Sequence, residues 1–296
     1  MTDFERWRAE GHAFTFRGHA VFHRAAHGPD EGRHLLLIHG FPTASWDYHR
    51  LWPSLVVRCA TVLAPDMLGF GWSDKPHDHT YRIAEQADLH EQLLRDYGVT
   101  CTWIVAHDYG VTVAQELLAR HAERRARGDD TLRIAGVCFL NGGLFPESHR
   151  PRLVQRLMLT PLGPLLARMF SFGQFRQSFR ALFGAATQPT EDELRDDWRL
   201  VTHQNGSRLL HRLLQYIPER RQHRERWVGA LTTSTVPLRL VVGLADPVSG
   251  ANLAERYREV MPEADVVPLP GVGHYPHVEA PDEVLRAIEA WMEERR

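Results

Sequence analysis

In the run Ala106-His107-Asp108-Tyr109-Gly110, an acidic side chain sits between a β-prone stretch, 101–105, and an apolar helical pattern, 111–118. Strand, sharp turn and helix form the setting in which one side chain is lifted above a sheet on a strained backbone, ready to act as a nucleophile. A serine there must lose a proton before it attacks. A carboxylate is already ionised at neutral pH and needs no base for the first step. Attack by Asp108 on an ester carbonyl would give a strained anhydride. Attack on a saturated, electrophilic carbon gives an ordinary ester that water can then cleave. The residue type therefore points to epoxides or alkyl halides ahead of carboxylic esters.

Cleaving such an ester takes a base, and the base takes an orienting acid. His274, in Gly271-Val272-Gly273-His274-Tyr275-Pro276, follows the last predicted strand in a glycine-rich loop. Asp246, in Val242-Gly243-Leu244-Ala245-Asp246-Pro247, leaves the preceding strand in the same way. An acid could also stand after the earlier strand, but that position holds Asn141, so Asp246 is preferred. An oxyanion hole is expected at His39-Gly40-Phe41-Pro42, with the amides of Phe41 and Tyr109 as donors. Gly40 permits the close approach, and Phe41-Pro42 is a candidate cis bond. His39, Pro42, His107 and Trp198 are expected to border the substrate.

These groups need a scaffold that gathers strand ends on one side. Two early strands are predicted at 13–16 and 20–23, then a fully buried strand at 34–38 and a helix at 46–55. A strand at 60–64, a helix at 83–97, the elbow strand with its helix, and a buried strand at 131–140 follow. Strands alternating with helices imply a mostly parallel sheet covered on both faces. After Asn141-Gly142-Gly143 the rhythm turns helical until about residue 231. It then resumes with strands at 238–242 and 265–269 and helices at 251–260 and 282–294. The expected organisation is a core of 1–144 with 232–296 and a helical cap of 145–231.

Nucleophile, acid and histidine in that chain order resemble the α/β-hydrolase superfamily, and the resemblance spans essentially the whole chain. His39-Gly40-Phe41-Pro42, Asp66 through Ser73-Asp74-Lys75-Pro76, and His107-Asp108 resemble epoxide hydrolases and haloalkane dehalogenases. The chain is most similar to the mesoderm-specific transcript protein family through several stretches that reach into the insertion. These include His107-Asp108-Tyr109-Gly110, Val113 to Leu118, Asn141-Gly142-Gly143, Phe145-Pro146-Glu147, His149-Arg150-Pro151, Arg226 to Leu231, and His274-Tyr275-Pro276. The resemblance implies the α/β-hydrolase fold, a mostly parallel sheet flanked by helices with a helical cap, and it brings no substrate. Ala106 replaces the serine or glycine expected before His107 and is small enough for the turn.

The leaving group separates the readings. Haloalkane dehalogenases supply a tryptophan after the nucleophile and an asparagine or second tryptophan, where this chain has Tyr109 and Phe41. Trp46, Trp198 or Trp227 would have to substitute. Fluoroacetate dehalogenases carry arginines just after the nucleophile, and Tyr109-Gly110-Val111 holds none. An opening epoxide calls for an acid, and lid tyrosines serve in epoxide hydrolases. Tyr216 is the only tyrosine of the insertion. The preferred reading is therefore an epoxide hydrolase working through an aspartyl ester, with Tyr216 as lid acid. The alternatives are a haloalkane dehalogenase, another α/β hydrolase of esterase type, and a non-enzymatic ligand-binding homologue.

The expected partners are a small hydrophobic electrophile and water. The 296 residues are 43% hydrophobic with a formal net charge of −2, which offers nothing for nucleic acid. Lys75 is the only lysine, a bias read as GC-rich, bacterial coding. The 3 cysteines lack metal or redox spacing. His19 and His23 lie four apart on a predicted strand, where they do not converge on an ion. No metal and no cofactor are expected. Residues 1–11 lack an apolar signal core, no stretch is apolar enough to span a bilayer, and a cytoplasmic location is expected. The segment from Arg150 to Arg180 is basic and interleaved with Leu, Met and Phe. Apolar faces lining a substrate tunnel, with arginines in water, are preferred to a membrane surface.

Overall fold

The computed structural model describes residues 1–30, 32–261 and 263–294. Eight strands, β1 (His12–Phe16), β2 (His19–His27), β3 (His34–Ile38), β4 (Thr61–Pro65), β5 (Cys101–Ala106), β6 (Arg133–Phe139), β7 (Leu238–Gly243) and β8 (Val266–Leu269), form one sheet. Their order is β1-β2-β4-β3-β5-β6-β7-β8. Only β1–β2 and β2–β4 pair antiparallel, and every other neighbour is parallel. This is the α/β-hydrolase arrangement that the resemblance implies.

The central strands are apolar at nearly every position because both sheet faces are covered. The side-chain period of two divides each strand between two cores. Leu36, Ile38, Ile104, Ala106, Val137, Phe139, Leu240 and Val242 enter one core. Leu35, Leu37, Trp103, Val105, Cys138 and Val241 enter the other. Between β6 and β7 the chain builds only helices, from Leu153–Met158 to Arg224–Thr232. Their inward residues, among them Met158, Phe175, Phe179, Leu210 and Leu213, extend the first core. The sheet and the inserted helices therefore share apolar packing, and the C-terminal strand ends lie beneath that insertion.

One local expectation is corrected. Residues 46–55 do not form one helix. A 3₁₀ turn at Ser45–Tyr48 is followed by a separate helix, Trp52–Val56, with Pro53 at its start. Proline lacks an N–H and fits only the first turn of a helix, so it restarts one and does not continue it. The N-terminal residues form the helix Asp3–Ala9, opened by a capping box between Thr2 and Glu5. It buries Phe4 and Trp7 against Trp46, Trp52 and Trp72. A seven-residue helix with only two inward aromatics shows no clear period in sequence. Among the described residues, no helix is long and apolar enough to cross a membrane.

Candidate active site

β5 ends at Ala106, and the helix Tyr109–Ala126 begins three residues later. Asp108 bridges them with φ 43° and ψ −103°, a conformation L-residues adopt only under constraint. The constraint is crowding by neighbouring backbone. A Cβ added at Gly110 would stand 2.5 Å from the Ile38 carbonyl oxygen, and one at Gly40 would stand 2.8 Å from the Asp108 Cβ. Only glycine fits at either place. The Asp108 N–H donates to the Asn141 carbonyl at 2.8 Å. From the inserted helix Tyr216–Gln222, Arg220 Nη2 donates to the Asp108 carbonyl at 3.0 Å, and its Nε donates to the Thr112 hydroxyl at 2.6 Å.

The loops after β3, β7 and β8 deliver the remaining groups. The Phe41 amide donates to Asp108 Oδ2 at 3.1 Å, across a cis Phe41-Pro42 bond. His274 Nε2 lies 3.8 Å from Asp108 Oδ1, and its Nδ1 meets Asp246 Oδ2 at 2.7 Å. Asp246 also accepts from the Ser249 hydroxyl at 2.7 Å, the Val248 amide at 2.7 Å and Asn141 Nδ2 at 2.9 Å. Asn141 is the residue that displaced the alternative acid position in sequence. Its oxygen accepts from the Gly243 amide at 2.7 Å, so it ties the ends of β6 and β7 together.

The charges are mutually adjusted. Burial resists ionisation of Asp246. The His274 charge and hydrogen bonds from His274, Ser249 and the Val248 amide outweigh it, holding the carboxyl at about 2. Burial likewise disfavours a charged His274. The Asp246 charge and hydrogen bond, followed by the charges of Asp108 and Glu279, raise it to about 9. Asp246 and His274 thus hold each other charged, with Asp108 beside them.

A carboxylate at the elbow thus faces a histidine that a second carboxylate holds from behind, at the ends of a mostly parallel sheet. Residues 35–287 match the Alpha/beta hydrolase family. The chain belongs to that family. The mesoderm-specific transcript protein of Mus musculus is 40% identical over 288 residues, covering 95% of this chain and 85% of that protein. A cis-3-alkyl-4-alkyloxetan-2-one decarboxylase of Shewanella oneidensis is 29% identical, covering 89% of this chain and 83% of that one. Among solved structures, haloalkane dehalogenase DbeA from Bradyrhizobium elkani superposes with a TM-score of 0.77 at 23% identity, covering 96% and 97% of the two chains. Epoxide hydrolase CorEH superposes with a TM-score of 0.75 at 18% identity, covering 97% and 99%.

Above Asp108 and His274 lies a mostly apolar cavity. Phe41, Pro42 and Val248 come from the sheet loops, and Val154, Met158, Phe170, Phe175, Phe179, Leu182, Leu210 and Leu214 from the inserted segment. Arg152, Gln155 and Ser178 are its polar lining apart from Asp108 and His274. Three expected lining residues are not part of it. His39 is wholly buried below, its Nδ1 donating to the Gly40 carbonyl at 2.8 Å and its Nε2 accepting from the Met67 amide at 2.9 Å. His107 hangs under the elbow and donates from Nε2 to the His274 carbonyl at 2.8 Å, which braces the base and not the substrate. Trp198 is spent on packing against Phe170, Phe172 and Phe175.

Tyr216 is buried with its hydroxyl unpartnered, its ring 4.8 Å from that of Tyr109, and it too is absent from the cavity lining. Burial and then the charge of Asp108 push its phenol upward, so the proton stays on. Trp227 donates its indole N–H to Glu116, and Trp46 stacks on His49. Arg220 and Arg152 were missed in sequence because arginines on a helical insertion read as solvated. Among the described residues, Asp47, His107 and His277 alone bring three metal-ligand-type atoms within 4.8 Å of one another. Asp47 is taken up by the Thr43 hydroxyl at 2.5 Å and His107 by the His274 carbonyl, so these atoms already serve the loops that carry the base.

Proposed function

We propose that the protein is a hydrolase that passes through an ester on Asp108 and acts on a small, apolar, uncharged electrophile. The observation that carries this reading is the Asp108 carboxylate at the floor of an apolar cavity, with His274 Nε2 at 3.8 Å and Asp246 behind it at 2.7 Å. In the first step Asp108 Oδ1 attacks a saturated carbon, and the C–O bond of the leaving oxygen breaks. In the second, His274 takes a proton from water, and the hydroxide attacks the Asp108 carboxyl carbon. The oxyanion rests on the Phe41 and Tyr109 amides. Expulsion of the alcohol restores the carboxylate. The reaction uses no metal or cofactor. The inserted helices, 145–231, act as a cap over a core of 1–144 and 232–296, and their apolar lining selects for hydrophobic substrates.

The preferred electrophile is an epoxide, with Tyr216 as the acid that protonates the departing alkoxide. Its hydroxyl has no other partner and feels the Asp108 charge. A second reading is favoured by the absence of Tyr216 from the cavity lining. A four-membered lactone, the ring named in the Shewanella oneidensis relative, opens at its saturated carbon to release a carboxylate, and that leaving group needs no acid. Halide displacement has the weakest support, because no indole N–H lines the cavity.

The test is His274→Phe, exposed separately to an alkyl epoxide, a β-lactone and a haloalkane, with intact mass and peptide mapping. The expected result is an adduct of whole-epoxide mass on Asp108 that persists because the base is gone. Persistent labelling by the lactone alone shifts the assignment to the second reading. A folded variant that none of the three probes labels refutes the aspartyl-ester mechanism.

A further inference from the structure

The described chain exposes seven large apolar side chains, and five fall within seventeen residues of the inserted segment: Leu153 69%, Leu157 43%, Leu162 60%, Leu165 56% and Met169 65%. Leu153 and Leu157 are one turn apart on the helix Leu153–Met158. Leu162, Leu165 and Met169 are spaced three and four apart on and before the helix Gly163–Met169, so each set forms a stripe. The two helices pack against each other. Their opposite sides are already used: Met158 and Ala167 are buried, while Val154, Gln155 and Met158 line the cavity. The expectation that the apolar residues of this segment serve the tunnel and only arginines meet water is thus wrong for these five.

The surrounding charge has one sign. Residues 148–190 carry six arginines and no Asp or Glu. Arg150, Arg156 and Arg168 are exposed, and no ion pair among the described residues includes them. Elsewhere in the protein, arginines such as Arg120, Arg224 and Arg226 hold carboxylates.

We propose that this face docks on an anionic lipid surface, its leucines and methionine entering the acyl boundary while its unpaired arginines meet headgroup phosphates. An apolar stripe flanked by guanidinium groups is the pattern that binds in the plane of a membrane interface. A second copy of the chain fits this face poorly. A two-fold contact would set the same arginines against each other with no carboxylate between them. The arrangement also has a use. The helix whose outer side enters the lipid forms the cavity wall with its inner side, so an apolar molecule dissolved in the bilayer has one helix to displace before it meets Asp108. Docking itself does not depend on what Asp108 attacks.

The experiment is flotation of the full chain with vesicles of phosphatidylcholine alone and with about one third phosphatidylglycerol. Wild type is expected to float with the anionic vesicles and to release as salt is raised. Leu162→Glu/Leu165→Glu should lower the partition coefficient by roughly tenfold or more. Arg156→Gln and Arg168→Gln should each lower it by roughly fivefold while leaving the weaker binding to neutral vesicles unchanged. Circular dichroism establishes that the variants are folded. Failure to float, or recovery equal in wild type and in the double glutamate variant, overturns the proposal. A wild-type dimer in sedimentation that the double glutamate variant dissolves, without vesicle binding, assigns the face to a second copy instead.

Discussion

The His274 imidazole is held between two carboxylates, and on the proposed route only one of them survives ester formation as an anion. Asp108→Asn reproduces the loss of the other. At the observed 3.8 Å, the attraction between Asp108 and a charged imidazole is about 4 kcal/mol at an effective dielectric of 20, and about 1 kcal/mol at the value for water. At 1.36 kcal/mol per pKa unit, removing it lowers His274 by about 1 to 3 units. The sign is fixed: losing a neighbouring anion disfavours the cation, and an asparagine amide donating to Nε2 would shift it the same way. His274 should therefore fall from about 9 in the wild type to between about 6 and 8 in the variant. Histidine ring NMR against pH measures this directly, and the resonance is distinctive. The other buried histidines of the region, His39, His107, His149 and His277, are all pushed down by burial. His274→Phe identifies the signal by removing it. On the proposed mechanism, this drop would free His274 to act as base near neutral pH once the ester has formed. Titration near 9 in both proteins, or near 6.5 in the wild type, would refute the argument.

Two further predictions concern residues whose roles emerged only in three dimensions. Asn141→Ala orphans the buried Gly243 amide and removes a donor to Asp246, so the urea midpoint should fall by the equivalent of about 2–4 kcal/mol. An unchanged midpoint would mean that the β6–β7 link carries no weight. Arg220→Met removes the clamp on the Asp108 carbonyl, and in the His274→Phe background it should slow labelling of Asp108 by about 10- to 100-fold without unfolding the protein. Labelling at the unaltered rate, followed by mass spectrometry, would show that the elbow holds its shape without that guanidinium.

Much of this molecule can be read along the chain, because the relevant signals are local. Buried parallel strands announce themselves as apolar runs, unbroken at Leu35–Ile38 and interrupted only by Arg239 at Leu238–Val242. An elbow needs small residues on either side of its nucleophile, and Gly40, Ala106 and Gly110 mark it. Side chains that leave strand ends are the candidates for chemistry, and Asp108, Asp246 and His274 do so. Boundaries blur where the signal is short, as at Pro53 and in the N-terminal helix. The direction a side chain takes inside the insertion leaves no local mark. Leu153 and Leu157 have the same spacing as tunnel-lining leucines. Arg220 looks like any arginine on a polar helix.

The sheet, the elbow and the chain order of Asp108, Asp246 and His274 were legible along the chain, since strand periodicity, turn sterics and chain order act over a few residues. Only the tertiary structure decided that Arg220 reaches beneath Asp108, that Asn141 joins two strand ends to the orienting acid, that Trp198 and His107 support the site without lining it, and that five apolar side chains face outward. Each of these depends on how helices distant in sequence rotate and pack against the sheet, and that rotation is set by the sum of many weak contacts across the whole core.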